Sequence, residues 1–284
     1  MSKPLVWITG AGGLIGSHLA RTAAQHAPQW NISPLTRDVV DLCEHAAVTR
    51  LFATEQPQLI IHCAAMSRLA DCEANPERAE TVNVHSTRHL CELGAEIPLL
   101  FLSTDLVFDG LKGGYVEGDP VGPVNCYAET KVRAESHVLE NPRHSVVRLS
   151  LNAGVSPAGD KSFTEDMRRA WERGQTLSLF TDEFRNPLHA HVTARAIWEL
   201  AQHNRPGLYH LGGSERLSRW EIGQHIAARW PALQTRMTPA SLKDYRGPRR
   251  SPDTTLDCSK LQSLLSFRLP ALGEWLRDNP SAQV

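Results

Sequence analysis

The chain alternates short apolar runs with longer stretches in which apolar residues recur three and four positions apart. The short runs predict β-strands, and the longer stretches predict α-helices. The predicted strands cover residues 5–9, 31–36, 59–63 and 98–103, and the predicted helices cover residues 14–26, 48–54, 76–94 and 127–139. Parallel strands joined by helices of this length need crossover connections. The pattern therefore predicts an α/β fold with a doubly wound parallel sheet.

The pattern changes after Ser150, where Gly154, Pro157 and Gly159 indicate a loop. A helical pattern follows over residues 163–173. We therefore predict a first domain over residues 1–150 and a smaller second domain over residues 151–284.

Composition and net charge indicate which kinds of molecule the protein could bind. The chain has 284 residues, of which 41% are hydrophobic and 21% charged, as in ordinary soluble proteins. Its net charge of −1 provides no broad basic surface, so we predict a small-molecule partner and neither nucleic acid nor membrane. The six cysteines form no C-x-x-C pair, and the first residues do not resemble a signal peptide. We expect reduced thiols and a cytoplasmic location.

Three glycines lie between the first predicted strand and helix. Gly10, Gly13 and Gly16 have the spacing G-x-x-G-x-x-G. Gly10 allows a sharp turn, Gly13 lets the backbone approach a pyrophosphate, and Gly16 lets the helix pack closely on its strand. The free N–H groups of Leu14, Ile15 and Gly16 then face the phosphates. A dinucleotide cofactor in a Rossmann domain is predicted, with an ordinary glycine-rich turn as the alternative.

The end of the second predicted strand bears on the choice of cofactor. NAD sites place an acid there, whereas this chain has Thr36 and Arg37, and a guanidinium suits the 2′-phosphate of NADP. NADP is predicted, with NAD as the alternative cofactor. Arg37 could instead be a solvated surface residue that contacts no cofactor. Pro34 weakens this strand prediction because proline cannot donate to a central ladder. After the third strand, the small Ala64 and Ala65 leave room for the middle of the cofactor.

The candidate chemistry lies between residues 103 and 131. Thr104 directly follows the fourth predicted strand, where ligands of open α/β sheets bind. Tyr127 and Lys131 are four residues apart on a predicted helix, so the phenol and the ammonium lie on one face. Both groups can therefore act on the same bound molecule.

The glycine motif, Thr104 and Tyr127-x-x-x-Lys131 together resemble the extended short-chain dehydrogenase/reductase family. Similarity to its dTDP-4-dehydrorhamnose reductases extends over residues 62–65, 103–110, 146–150, 181–187, 207–213 and 250–257. The resemblance implies an NAD(P)-dependent oxidoreductase that reduces a keto group, with a 4-keto-6-deoxy nucleotide sugar as substrate. It also implies that residues 175–203 return to the first domain as a strand over 175–180 and a helix over 190–202. A homodimer is compatible with it.

The resemblance also implies roles for single residues. Tyr127 is the candidate acid, since a phenol bonded to a carbonyl oxygen can supply the proton during hydride transfer. A lysine about 6 Å away is expected to lower the pKa of Tyr127 by about two units. By the family's pattern Lys131 also bonds the nicotinamide ribose, and Thr104 orients the substrate oxygen. Asp41 and Leu42 are expected near the adenine, and Asp105 and Phe108 near the substrate.

Two segments bear on how the substrate is held. The run Tyr245–Arg250 is either a solvated loop or a diphosphate clamp with Arg250 in it. Leu106 stands where the reductases usually have an aromatic residue, and residues 151–153 stand where they have a tryptophan-containing segment. A sugar ring would lose its usual stacking partners there.

Two alternative functions stay open. One is another enzyme of the extended family, such as an epimerase or a dehydratase, although Leu106 cannot take the acidic role that dehydratases place there. The other is a non-catalytic NADP-binding regulatory subunit, like the β subunit of methionine adenosyltransferase, which resembles these reductases. No metal is predicted, because His189 and His191 have no third ligand nearby. Asn83 is either a solvated helix residue or a residue that holds a proton-relay water.

Overall fold

A parallel sheet of six strands forms the centre of the structure, a computed structural model that describes residues 3–284. The strands of the chain are β1 (Leu5–Thr9), β2 (Asn31–Leu35), β3 (Leu59–His62), β4 (Leu99–Thr104), β5 (Ser145–Leu149), β6 (Asn152–Ala153), β7 (Leu177–Phe180), β8 (Phe184–Arg185), β9 (Leu188–His189), β10 (Gly207–Leu211), β11 (Leu217–Ser218) and β12 (Met237–Ala240). Those of the central sheet lie in the order β10-β5-β4-β3-β1-β2. The predicted doubly wound parallel sheet is confirmed.

The α-helices lie between the strands and after the last of them. They are α1 (Leu14–His26), α2 (His45–Glu55), α3 (Leu69–Ala74), α4 (Pro76–Glu80), α5 (Ser86–Leu93), α6 (Cys126–Leu139), α7 (Phe163–Glu172), α8 (Ala190–His203), α9 (Arg219–Ala227), α10 (Ser259–Gln262) and α11 (Leu272–Asp278). The helix predicted over 76–94 is interrupted, since a π-helical turn, Thr81–His85, joins α4 to α5. None of the helices from residue 3 onward combines the length and apolar character needed to cross a bilayer.

The sheet is covered on both faces, which explains why its inner strands are nearly all apolar. Alternate side chains of β1 point to opposite sides. Val6 and Ile8 belong to the core that includes Trp198 of α8, whereas Trp7 belongs to the core that includes Val48 of α2 and Phe101 of β4. Two apolar layers therefore hold the sheet between its helices.

Strand β2 lies at one edge of the sheet, where Pro34 is tolerated. Its register places Pro34 beside Ile8 of β1. An edge strand forms a ladder with one neighbour only, so a residue without an N–H can occupy it. The strand prediction is confirmed despite its proline.

The second half of the chain builds smaller sheets beside the central one. Residues 175–180, expected to return to the first domain as a strand, form β7, which pairs with β12 and not with the central sheet. Leu177 and Leu179 pack in a separate apolar core with Ile222, and β10 supplies the sixth strand of the central sheet. Helix α8 does pack on α1. The division into a cofactor-binding domain and a substrate-binding domain stays a prediction.

Candidate active site

A cleft of about 1240 Å³ lies at the carboxyl ends of the central strands. Nearly all of the predicted site residues line it: Gly10, Gly13, Leu14, Ile15, Gly16, Arg37, Asp41, Leu42, Ala64, Ala65, Thr104, Asp105, Tyr127, Lys131 and Arg250. The fold thus brings together residues separated by up to 240 positions in the sequence. Their roles in the cleft stay predictions.

The glycine turn between β1 and α1 is packed too tightly for larger residues. Gly10 has a φ of +65°, and a Cβ there would lie 2.7 Å from the backbone nitrogen of Ala64. A Cβ on Gly16 would clash with the carbonyl oxygen of Gly10, and one on Gly13 would lie 3.2 Å from that oxygen. These close contacts let α1 pack against the end of β1, and Gly13, Leu14 and Ile15 at the start of the helix line the cleft. This geometry fits the phosphate-binding turn that the spacing predicts.

A buried chain of hydrogen bonds supports this turn, and the sequence analysis missed it. Thr9 Oγ1 accepts hydrogen bonds from the N–H groups of Cys63 and Ala64, at 3.2 and 3.3 Å. Its own proton is therefore donated to Nδ1 of His62 at 2.7 Å, and Nε2 of His62 donates to Thr87 Oγ1 at 2.9 Å. Burial lowers the pKa of His62 to about 3, so the ring is neutral. The network fixes Ala64 under the glycine turn.

Arg37 and a second arginine flank Asp41 at one end of the cleft. Asp41 accepts a hydrogen bond from the backbone N–H of Cys43 at 2.9 Å, and Arg78 lies 3.7 Å from its other carboxylate oxygen. The bond from Cys43, with smaller effects of Arg37 and Arg78, lowers the pKa of Asp41. Arg37 forms no ion pair with any residue from 3 to 284. Its guanidinium is therefore available to a ligand, and Arg78 adds a cation that the sequence analysis missed.

Tyr127 lies in the first turn of α6, which Asn125 caps by accepting a hydrogen bond from the N–H of Ala128 at 3.0 Å. Burial raises the pKa of Tyr127, as do the charges of Asp105 and Cys72, and the Thr104 hydroxyl opposes the rise. The phenol is therefore protonated at neutral pH. It is suited to donate a proton.

Lys131 is buried one turn further along α6. Its Nζ donates to the carbonyl oxygen of Leu102 at 2.8 Å and lies 3.7 Å from the centre of the Phe101 ring. Burial lowers the pKa of Lys131 to about 7, although Glu135 and Cys63 oppose this shift. The expectation that Lys131 lowers the pKa of Tyr127 is wrong, because burial of the phenol raises that pKa, and the Thr104 hydroxyl, not Lys131, opposes the rise.

Asn83 is buried in the π-helical turn, which rules out the solvated helix residue, and its role in holding a water stays a prediction. Its Oδ1 accepts a hydrogen bond from the N–H of Met66 at 2.8 Å. Its Nδ2 donates to the Met66 carbonyl oxygen at 3.0 Å and to Thr130 Oγ1 at 2.9 Å. The amide therefore ties the loop after β3 to α6 between Tyr127 and Lys131. A π-helical turn at such a position is typical of functional sites.

A cluster of ionic side chains lines the other end of the cleft. Arg185 lies 3.0 Å from Glu183 and 3.4 Å from Asp105. Arg250 makes two hydrogen bonds to Glu183, at 2.7 and 2.8 Å. Burial would raise the pKa of Glu183, but Arg185, Arg250 and Arg219 outweigh it and lower the pKa. Arg250 thus binds a carboxylate through Nε and Nη2, and its role as a diphosphate clamp stays a prediction.

Arg219, at the start of α9, also lines the cleft. Burial lowers its pKa to about 10, so it stays charged at neutral pH. Within the part of the chain that the structure describes, its guanidinium is in no ion pair. The sequence analysis missed Arg219, Glu183 and Arg185. The available signal was the resemblance to the reductases over residues 181–187, which include Glu183 and Arg185.

Phe108 is the one predicted site residue that does not line the cleft. It is fully buried and stacks on Tyr115 with 4.1 Å between the ring centres. The expectation of a substrate contact is wrong, because the turn after β4 directs this side chain into the core. Leu106 and Leu151, the two departures from the reductase pattern, do line the cleft.

His189 and His191 take part in hydrogen bonds within the protein. Nδ1 of His189 accepts a hydrogen bond from the N–H of His191 at 3.2 Å, and its Nε2 donates to the Gln283 carbonyl oxygen at 3.0 Å. Both ring nitrogens therefore have protein partners. In residues 3–284 the structure contains no group of three or more His, Cys, Asp or Glu side chains arranged to hold a metal.

Comparisons with known proteins identify related chains. The family model described as the RmlD substrate binding domain matches residues 4–279. The methionine adenosyltransferase 2 subunit beta of Rattus norvegicus is 29% identical over 91% of this chain and 82% of its own. The dTDP-4-dehydrorhamnose reductase of Sinorhizobium fredii is 28% identical over 93% of this chain and 92% of its own.

A solved structure shows the same fold over nearly the full length of both chains. It is the crystal structure of dTDP-4-dehydrorhamnose reductase from Bacillus anthracis in complex with NADP. The TM-score is 0.87, with 24% identity, and the alignment covers 97% of this chain and 98% of the other.

Proposed function

Because this chain belongs to the RmlD substrate binding domain family, we propose that it is an NADPH-dependent reductase of a keto group carried by a nucleotide sugar. One observation carries the proposal. Thr104, Tyr127 and Lys131 meet in a single cleft that continues from the glycine turn to the cluster of arginines. The candidate proton donor thus lies between a site suited to the cofactor and a site suited to an anionic part of the substrate.

The cofactor end of the cleft fits a dinucleotide. The N-terminus of α1, with Gly13, Leu14 and Ile15, lines the cleft, and helix N-termini favour phosphate. Arg37 is available for a 2′-phosphate, which favours NADP over NAD. The relative solved in complex with NADP supports the same choice. When bound, the cofactor supplies the hydride for the reduction.

The chain's own residues would handle the proton. The phenol of Tyr127 is protonated at neutral pH and can donate to the substrate oxygen as negative charge develops there. The Thr104 hydroxyl, which acts on the pKa of this phenol through a hydrogen bond, can orient that oxygen. The ammonium of Lys131 would then stabilise the tyrosinate that the transfer leaves behind.

The substrate end of the cleft favours an anionic group. The ionic cluster around Glu183 contains two carboxylates, Asp105 and Glu183, and three guanidiniums, Arg185, Arg219 and Arg250. Asp105 pairs with Arg185, and Glu183 pairs with Arg250. Within this cluster the positive charge of Arg219 therefore has no carboxylate partner. We propose a 4-keto-6-deoxy sugar linked to a nucleoside diphosphate, with Arg219 as the phosphate contact. Leu106 and Leu151 would provide apolar contact without stacking.

NADPH oxidation tests the proposed function. Wild type and Tyr127→Phe are compared on dTDP- and UDP-linked 4-keto-6-deoxy sugars and on simple ketones. Turnover of a nucleotide-linked sugar by wild type alone supports the proposal. Turnover of simple ketones alone would reject the nucleotide handle, and no turnover of any substrate would reject the reductase.

A regulatory subunit is the second candidate, because the methionine adenosyltransferase β subunit is 29% identical over 91% of this chain. In this case NADPH would bind without turnover. The discriminating experiment is co-purification with a methionine adenosyltransferase catalytic subunit in the presence of NADPH. A stable complex combined with no NADPH oxidation would favour this candidate over the reductase.

Three further predictions are part of the proposal. We propose that residues 1–150 bind the cofactor and that residues 151–284 bind the substrate. A homodimer and a cytoplasmic location also stay predictions. Light scattering after size-exclusion chromatography tests the homodimer, and cell fractionation tests the cytoplasmic location.

A further inference from the structure

A buried carboxylate on the active-site helix joins that helix to two strands of the sheet. Glu135 lies on α6, one turn beyond Lys131. Its Oε1 accepts a hydrogen bond from Ser103 Oγ of β4 at 2.5 Å. Its two oxygens also accept from Arg148 of β5, with Nε at 3.1 Å and Nη2 at 2.8 Å. Helix α6 is thereby fixed against the strand that ends at Thr104.

The partners of Glu135 connect it to each group of the proposed site. Ser103 immediately precedes Thr104, and Lys131 precedes Glu135 by four residues on the same buried helix face. A change in the position of Glu135 would therefore alter the distance between the Thr104 hydroxyl and the Tyr127 phenol. Misplacement of reacting groups by about 1 Å can cost about 100-fold in rate.

Few charged or titratable side chains face the Lys131 ammonium. Glu135 faces it from α6, the Cys63 thiol faces it from the loop after β3, and His62 faces it from β3. His62 is neutral, and burial raises the pKa of the Cys63 thiol, so that neither is an anion at neutral pH. Strand β4 contributes only the Leu102 carbonyl and the Phe101 ring, and β5 contributes Arg148 through Glu135. Glu135 is thus the anion that acts on the Lys131 ammonium.

Resting on the proposed reductase function, we propose that Glu135 is a positioning residue. Its carboxylate, bound by Ser103 and Arg148, aligns α6 with the end of β4 and supplies the negative charge that keeps the buried Lys131 ammonium protonated. The residue does not touch the reacting atoms and acts through Lys131 and Thr104.

Stability alone does not explain this arrangement. Two charges buried together often contribute no more stability than apolar residues of similar volume would. Here the guanidinium of Arg148 is further held by His210 Nε2, at 3.5 Å, and lies 5.0 Å from the centre of the Phe108 ring. The pair thus needs several supporting groups. Because Glu135 lies one turn beyond Lys131 on α6, the pair can act on the lysine's charge, which an apolar pair could not do.

Titration of the lysine side chains by NMR tests the charge effect without turnover. The Cε resonance of Lys131 is assigned with Lys131→Met and followed against pH in wild type and Glu135→Gln. Glutamine keeps the acceptor for Ser103 but removes the charge. We expect Lys131 to lose its proton about one pH unit lower in Glu135→Gln. The alkaline limb of kcat/KM for keto-sugar reduction should move in the same direction.

Glu199→Gln is the matched control. Glu199 also accepts hydrogen bonds from an arginine and a serine, with Arg195 Nε at 3.1 Å and Ser266 Oγ at 2.8 Å, but it lies on α8 outside the cleft. This variant should leave the titration of Lys131 unchanged. An unchanged titration in Glu135→Gln as well would overturn the charge effect, whatever the turnover.

Glu135→Asp separates alignment from charge. Aspartate keeps the negative charge but is one methylene too short to reach both Ser103 and Arg148. We expect kcat to fall by at least 10-fold with KM for NADPH and the pH profile unchanged. Wild-type kcat in this variant would overturn the alignment.

Glu135→Gln/Arg148→Gln provides a second route if loss of the counter-ion prevents Glu135→Gln from folding. The titration of Lys131 should shift in the same direction, since its neighbouring anion is again removed. Failure of both variants to fold would mean a purely structural role and would overturn the proposal. A wild-type protein without turnover would instead reject the reductase function, while the NMR titration would still decide the charge effect.

Discussion

The guanidinium of Arg250 makes two hydrogen bonds to the buried carboxylate of Glu183, at 2.7 and 2.8 Å. Arg185 binds the same carboxylate from another side at 3.0 Å. Glu183 is 1% exposed, so its charge depends on these partners. The pair therefore belongs to the wall of the cleft, and the nearby Arg219 is the cation left for a ligand.

Arg250→Ala should lower stability more than it changes ligand chemistry. Removing one partner of a buried ion pair typically costs about 3–5 kcal/mol, and retention of Arg185 beside Glu183 should keep the loss near the lower limit. Urea unfolding of the variant and of Arg249→Ala, a change at an exposed neighbour, measures the difference. Equal stability of the two variants would show that Glu183 does not need Arg250.

Arg219→Gln should weaken binding of nucleoside diphosphates and leave NADPH binding unchanged. A hydrogen bond to a charged group contributes about 1.5–3 kcal/mol, which corresponds to about 10- to 150-fold in Kd. Calorimetric titration of dTDP and UDP at saturating NADPH measures the effect. Arg216→Gln, which breaks the exposed pair with Asp253, is the control and should bind as wild type does. Unaltered dTDP affinity in Arg219→Gln would place the anion elsewhere.

Tyr127→Phe should abolish most of the turnover and preserve the fold. The ring of the variant still fills its buried position, but no proton can be donated. We expect kcat to fall by about 100-fold or more, with NADPH affinity retained. Stopped-flow measurement of NADPH oxidation and a fluorescence titration of NADPH give the two quantities. Substantial turnover in this variant would assign the acid to another group.

Arg37→Ala should discriminate between the two nicotinamide cofactors. Only NADPH carries the 2′-phosphate, so the variant should lose affinity for NADPH and keep its affinity for NADH. We expect a loss of about 10-fold or more for NADPH in a fluorescence titration. Arg50→Ala, on the exposed side of α2, is the control. Equal losses for both cofactors would contradict the predicted contact.

Buried neutral histidines should make the protein less stable in mild acid. Burial lowers the pKa of His189 to about 3 from the usual value of 6.5. The unfolded chain therefore takes up a proton below pH 6.5 that the folded chain does not. The free energy of unfolding should fall as pH falls from 6.5 toward 3, by about 1.4 kcal/mol per pH unit for each such histidine.

His189→Asn checks this pH dependence. Asparagine can still cap α8 but has no ionisable group. Urea unfolding of wild type and variant at pH 7.0 and pH 5.5 should show a smaller loss in the variant. His18 and His62, whose pKa values burial lowers to about 4 and about 3, should keep part of the effect in both proteins. Identical losses would mean that His189 is protonated in the folded chain.

The sequence by itself determined the elements whose signals are local. The apolar run of β1 and the helical pattern of α1 follow from side-chain periodicity, and the turn between them follows from the freedom of Gly10 at positive φ. The pairing of Tyr127 with Lys131 on one face follows from the pitch of a helix. Each of these signals lies within a few residues, where the period and the residue type decide the conformation.

Only the tertiary structure decided which distant residues meet. Residues 177–180 have a strand pattern, but their partner β12 begins 57 positions further on, at Met237. Glu183 and Arg250 are 67 positions apart, and nothing near either residue specifies that they pair. Phe108 lies four residues beyond Thr104, the last residue of β4, yet packing against Tyr115 turns it into the core. Long-range pairing depends on the sum of burial and charge over the whole chain, and no local pattern records that sum.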